Sequence, residues 1–165
     1  MRVLVWIVEE TWRATVAAAA AFVPADADVT LLHVRASDAQ TVARGARDAL
    51  LGRSRRPAAD SLDAISEQGA RELVADAQAA LGREAALDAR SGRIEREVVA
   101  AAGTADLLVL ARDEDRAHRG PRSLGHTARY VVDHAPCAVL LVWPDAAPST
   151  TTTPSPRPGA RSPSS

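Results

Sequence analysis

Four short aliphatic runs stand out along the chain, and between them apolar residues recur every three or four positions. Val3-Leu4-Val5-Trp6-Ile7-Val8 is continuous and rich in β-branched residues, as expected of a strand buried on both faces. Thr11 stands where a helix cap belongs, ahead of a predicted helix whose apolar face is Trp12, Val16, Ala19, Ala20 and Val23 and which gives way to a turn at Pro24. Val29-Thr30-Leu31-Leu32-His33-Val34 follows as a second buried strand. Strand, helix and strand within about 34 residues form a βαβ unit, which requires parallel strands and a right-handed crossover.

The middle of the chain is less sharp. Residues 38–52 carry a weak helical pattern, and residues 52–57, with three arginines, read as an exposed loop. From Leu62 the apolar stripe Ile65, Leu73, Ala77, Ala80 and Leu81, with Gly69 inside it, predicts a long amphipathic helix that Gly82 stops. A third strand is expected over residues 84–90, on an alternation that rests on one large apolar residue, Leu87. Ser91-Gly92 opens a helix with Ile94, Val98, Ala101 and Ala102 on one face, closed by Gly103. Asp106-Leu107-Leu108-Val109-Leu110 is a fourth strand, and a polar loop over residues 111–123 leads to a helix carrying Thr127, Ala128, Val131 and Val132. Pro136 ends that helix, and Val139, Leu140, Leu141, Val142 and Trp143 make the fifth strand. Five strands alternating with helices predict an α/β fold, an open, five-stranded, parallel, doubly wound sheet with helices on both faces.

Composition narrows the function. The 165 residues carry 20 basic and 21 acidic side chains, a net charge of -1, which argues against a nucleic-acid binder with its basic face. All the basic residues are arginine, which removes Schiff-base and P-loop lysine chemistry. With 47% hydrophobic but only 3% aromatic residues, the core is built from Ala, Val and Leu. The single cysteine, Cys137, fits a reducing compartment, and no apolar stretch is long enough to span a bilayer or to act as a continuous secretory segment. These features place the protein in the cytoplasm, away from membranes. Beyond Trp143 the composition shifts: six of the ten prolines fall in residues 144–165 among Ser, Thr and Ala, which predicts a disordered, solvated tail behind a folded unit of residues 1–143.

Four blocks of the sequence resemble the universal stress proteins: the first strand with its helix, Val29-Thr30-Leu31-Leu32-His33-Val34, Ala105-Asp106-Leu107-Leu108-Val109-Leu110, and the run from Tyr130 through His134-Ala135-Pro136-Cys137 into the last strand. The resemblance implies strand order 3-2-1-4-5, with ligands bound beyond the carboxyl ends of the strands where the order reverses. It assigns the site to Val8, Glu9, Val34, Ala111 and Arg112, together with Gly125, His126 and Thr127. ATP-binding members of the family carry there a G-x2-G-x9-G-[S/T] loop, whose glycines let the backbone approach phosphate at a helix N-terminus. Here Ala111 and Glu114 stand at the first two glycines, Gly125 alone is kept, His126 follows it and Thr127 comes one position late. Val8 occupies the place of the family's acidic residue, with Glu9 beside it. Asp113, Glu114 and Asp115 would repel a triphosphate, while Arg112, Arg116, Arg119 and Arg122 would offset that repulsion.

Two functions follow. One is a non-enzymatic stress-response or signalling protein, with no certain cofactor, that acts through a homodimer and a protein partner. The other is a nucleotide-binding member that holds ATP through the N–H groups of His126 and Thr127 with Arg112 or Arg116. Family members often pair the fifth strand across a two-fold axis, and Val139, Leu140, Leu141, Val142 and Trp143 suit that use; cover by the tail is the competing expectation. His118, His126, His134 and Cys137 lack a recognised metal spacing, and Cys137 reads as a small buried thiol. His33 reads as a strand-end histidine, and the three tryptophans as packing residues. No nucleophile elbow, Walker loop or metalloprotease motif argues for catalysis.

Overall fold

A computed structural model of the chain describes residues 1–36, 59–114 and 123–147. Strands β1 (Arg2–Ile7), β2 (Asp28–Ala36), β3 (Ala86–Gly92), β4 (Leu107–Ala111) and β5 (Ala138–Val142) form one sheet. Helix α1 (Trp12–Phe22) links β1 to β2, α2 (Ala59–Leu81) precedes β3, α3 (Ile94–Ala102) links β3 to β4, and α4 (His126–His134) precedes β5. The strands pair in parallel, as the alternation of strands and helices predicts, in the order β3-β2-β1-β4-β5 that the family resemblance implies. The expectations for residues 38–52 and 52–57, for most of the polar loop before α4 and for the tail beyond residue 147 lie outside the described residues.

The period of two in β1 builds both halves of the core. Val3, Val5 and Ile7 point to one face, where they meet Trp12, Val16 and Ala19 of α1 and Ala77 and Leu81 of α2. Leu4 and Trp6 point to the other, against Val98, Ala101 and Ala102 of α3 and Ala128 and Val131 of α4. Small alanines on the helices let the backbones come close to the sheet, which is how a chain with so few aromatic residues fills its interior. Leu31, Leu108 and Leu110 are fully buried, each contributing on the order of 1.5–3 kcal/mol through loss of contact with water. Gly82 stops α2 in the left-handed conformation, at φ 69°.

Three boundaries differ from the sequence pattern in ways that have causes. Strand β3 runs two residues later than expected, and Leu87, the one large apolar residue of that alternation, is 59% exposed. The strand is an edge held by its parallel ladder to β2, and Arg90, paired with Asp88 on the same strand at 2.9 Å, reaches Glu97 of α3 at 3.7 Å. Ser91 and Gly92 therefore finish β3, and α3 begins after Arg93. Trp143 falls just outside β5, which Ala138 joins instead by donating its N–H to the Asp106 carbonyl. Among the described residues no helix is long and apolar enough to cross a membrane.

Candidate functional site

Strands β1 and β4 are neighbours whose connections leave to opposite sides, β1 toward β2 and β4 toward β5, so their carboxyl ends frame a cleft. A crevice of about 340 Å3 opens there. Of the residues the sequence assigns to the site, Val8, Glu9, Val34, Ala111 and Thr127 line it. Arg112, Gly125 and His126 are not part of its lining.

Arg112 is held away by its own contacts. Its backbone N–H donates to the Val142 carbonyl at 2.9 Å, continuing the β4–β5 ladder by one rung. Its guanidinium donates to the buried Ser123 hydroxyl at 2.6 Å and lies 4.7 Å from the centroid of the Trp143 ring, a cation–π contact. That side chain fastens the start of α4 to the end of β5. The other arginines expected to offset the loop's acids, Arg116, Arg119 and Arg122, lie outside the described residues, as do Asp115 and His118.

Gly125, the one glycine kept, precedes α4, whose first amides form an anion seat. The Gly125 amide is taken from within. Asp113 Oδ1 accepts the Gly125 N–H at 2.7 Å, and a Cβ on Gly125 would come within 2.8 Å of that oxygen. The glycine therefore admits the protein's own carboxylate where a phosphate oxygen would otherwise approach. The sequence marked Asp113 as a source of repulsion; that it caps α4 depends on closure of the loop between residues 113 and 125, which no local pattern reveals.

Thr11 also departs from expectation. It sits at the N-cap of α1 but makes no side-chain cap hydrogen bond, because its backbone (φ −131°, ψ −5°) lies outside the extended geometry that turns a cap oxygen toward the next amides. The residue is 5% exposed and lines the crevice. His33, also on the lining, sets its Nδ1 against the Ile7 carbonyl at 3.2 Å; the carbonyl can only accept, so Nδ1 carries the proton.

The other reactive side chains lead elsewhere. His134 stacks on Tyr130 with ring centroids 4.0 Å apart, and its Nδ1 donates to the Tyr130 carbonyl at 2.8 Å. Burial pushes the Cys137 thiol up from its usual pKa, the opposite of what a nucleophile needs. Among the described residues no three His, Cys, Asp or Glu side chains gather to hold a metal ion.

The order of strands, the cleft between β1 and β4 and the glycine at the head of α4 together are family features, and a model of the universal stress protein family matches residues 1–142. The chain belongs to the universal stress protein family. Solved structures agree on the fold. The hypothetical protein MJ0577 is 16% identical with a TM-score of 0.59, over 86% of this chain and 94% of that one. A universal stress protein from Archaeoglobus fulgidus is 17% identical with a TM-score of 0.55, over 86% and 97% of the two chains. A universal stress protein in complex with cAMP is 18% identical with a TM-score of 0.53, over 88% and 98%. No curated protein matches the sequence. For a triphosphate the described residues offer less than the family loop: two glycines are replaced, the Gly125 amide is bonded to a carboxylate, and Arg112 is engaged with Ser123 and Trp143.

Proposed function

We propose that this universal stress protein is a non-enzymatic stress-response or signalling protein that acts in the cytoplasm through homodimerisation and binding of a protein partner. The observation that carries the reading is the Asp113 carboxylate at 2.7 Å from the Gly125 amide, which occupies one N–H at the head of α4 and sets a negative charge where ATP phosphates would approach. A polar loop that no longer holds ATP still leaves the sheet and its edges available for protein contacts.

The two edges of the sheet are unlike. Strand β3 carries Asp88 and Arg90 beside a single large apolar residue, Leu87, the charged dressing that keeps an edge from pairing. Strand β5 is Ala138-Val139-Leu140-Leu141-Val142, apolar throughout. Its register, with Ala138 donating to Asp106 and Val142 accepting from Arg112, turns the backbone groups of Ala138 and Val142 toward β4 and those of Val139 and Leu141 to the open edge. An apolar edge whose outward amides meet no partner among the described residues suits a second copy of the chain.

The alternative reading, an ATP- or AMP-binding protein with slow hydrolysis, draws on the structural neighbour that is in complex with cAMP. Two measurements on the purified protein separate the readings. Sedimentation velocity at micromolar concentration should give a dimer, and calorimetric titration with Mg-ATP into the millimolar range should give no saturable heat. A monomer would remove the assembly claim, and micromolar ATP affinity would establish the alternative.

A further inference from the structure

We propose that the hollow between α2 and β3 binds a small amphiphilic anion, a single carboxylate carried on an unbranched apolar chain. The hollow has a volume of about 470 Å3 and lies on the face of the sheet that α1 and α2 cover. It shares only His33 with the crevice at the ends of β1 and β4, so the inference goes beyond the reading above and does not depend on Asp113.

The strand register gives the hollow two unlike ends. Leu31 pairs with Leu87, His33 with Ala89 and Arg35 with Ser91, and the alternation of a strand puts Leu87, Ala89, Ser91 and Arg35 on the α2 side. At one end Leu87 meets Val74 and Ala75 of α2; at the other Arg35 and Ser91 meet Glu67 and Arg71. From Leu87 to Ser91 the strand rises about 13 Å, the reach of an extended medium-length acyl chain. The apolar end has surface to bury: of the described large hydrophobic side chains only Met1, Phe22 and Leu87 are exposed, and Leu87 is the one inside a strand. The charged end has the complementary sign for a carboxylate. Arg35 and Arg71 reach the same Glu67 carboxylate at 3.5 and 3.6 Å, so two guanidinium groups share one negative charge. These side chains are largely exposed and their pairing is weak, which leaves the guanidinium groups able to turn to a second carboxylate. Glu67 is the one acidic residue among the described lining, and the acids on the other flank of α2, Glu72 and Asp76, line a separate hollow beside α1. Arg90, also on the lining, spends its charge on Asp88 and Glu97. An apolar floor with positive charge at one end is the outline of an amphiphilic acid.

The probes are decanoate, decylamine and butyrate: the first carries both parts, the second reverses the charge, and the third keeps the head without the tail. Calorimetric titration of the full chain, below the concentrations at which the probes form micelles, should give saturable decanoate binding in the submillimolar range, about tenfold tighter than decylamine and weakening as salt rises. Butyrate should not saturate, because it lacks the methylenes that bury against Leu87 and Val74. Leu87→Ala and Arg71→Glu, both at exposed positions, should each weaken decanoate several-fold, and circular dichroism melts confirm that the variants are folded. In a 15N-labelled sample the amides of Ala70, Val74, Leu87 and Ala89 should shift on addition of decanoate. Decylamine binding as tightly as decanoate, an affinity that either variant leaves unchanged, shifts centred on another part of the molecule, or no saturable decanoate binding would each overturn the proposal. A failure here leaves the Asp113 contact with Gly125 and the dimer untouched, since ATP titration and sedimentation test those.

Discussion

Asp113 and Gly125 are twelve residues apart in sequence, yet the carboxylate of the first accepts the backbone N–H of the second at 2.7 Å. The contact satisfies an amide that the helix itself leaves unpaired, and it places a negative charge at the positive end of α4. A Cβ on Gly125 would stand 2.8 Å from Asp113 Oδ1, so the glycine lets the carboxylate sit this close without shifting. Stability of the helix and exclusion of phosphate then have the same cause.

Removing that carboxylate should trade one for the other. Asp113→Ala should lower stability by about 1 kcal/mol, the usual worth of a partly exposed charged cap, and should raise affinity for ATP and for inorganic phosphate. Thermal melts and calorimetry read the two effects in the same sample. Tighter phosphate binding without any loss of stability would separate them and contradict the shared cause.

Arg112 should behave as a structural residue. Arg112→Ala removes the bond to Ser123 and the contact with the Trp143 ring, which together contribute on the order of 1–3 kcal/mol, so the melting temperature should fall and the tryptophan emission should change. Its effect on ATP binding should be nil. A selective loss of ATP affinity at unchanged stability would instead return Arg112 to the site.

The dimer can be challenged without dismantling the ladder to β4. Val139 turns its N–H to the open edge, so Val139→Pro deletes an outward donor while the inward bonds of Ala138 and Val142 remain available. The variant should be a folded monomer by sedimentation, with a modest stability loss from the missing valine packing. A dimer that persists in Val139→Pro would place the interface elsewhere.

Acid should loosen the seam between β1 and β4. Asp106 accepts the Arg2 N–H at 2.7 Å and faces its guanidinium at 3.4 Å, and these hydrogen bonds, the backbone one foremost, hold the carboxyl below its ordinary pKa. A carboxyl with a lowered pKa in the folded state contributes stability that is complete above its unfolded pKa and fades as pH falls through the folded value. Asp106→Asn should therefore flatten the acid limb of the stability profile, measured by urea unfolding from neutral pH downward, and leave its neutral side with a small uniform loss. An unchanged acid limb would show that other carboxylates carry it.

Much of the fold could be read from the sequence because β1, β2, β4 and β5 are aliphatic runs; β1 and β4 are buried almost throughout, and β5, half-buried at the edge, keeps the same pattern. Strand β3 was faint for the opposite reason: it is an edge, its one large apolar residue is exposed, and it is held by backbone pairing to β2 rather than by apolar burial. The site divides in the same way. Val8, Glu9, Val34 and Ala111 follow strand ends that the pattern locates, and Thr127 follows the start of α4. Arg112 leaves the crevice, Thr11 enters it and Asp113 caps Gly125 through contacts made in three dimensions, for which residue type and spacing give no signal.

The closed seat is tested most directly at the Gly125 amide itself, by following its resonance in a 15N-labelled sample as ATP is added. The account predicts that the signal holds its position into the millimolar range in the wild-type protein and shifts in Asp113→Ala. A saturable shift of the wild-type Gly125 amide at micromolar ATP would show that phosphate displaces the carboxylate, and the account would fail.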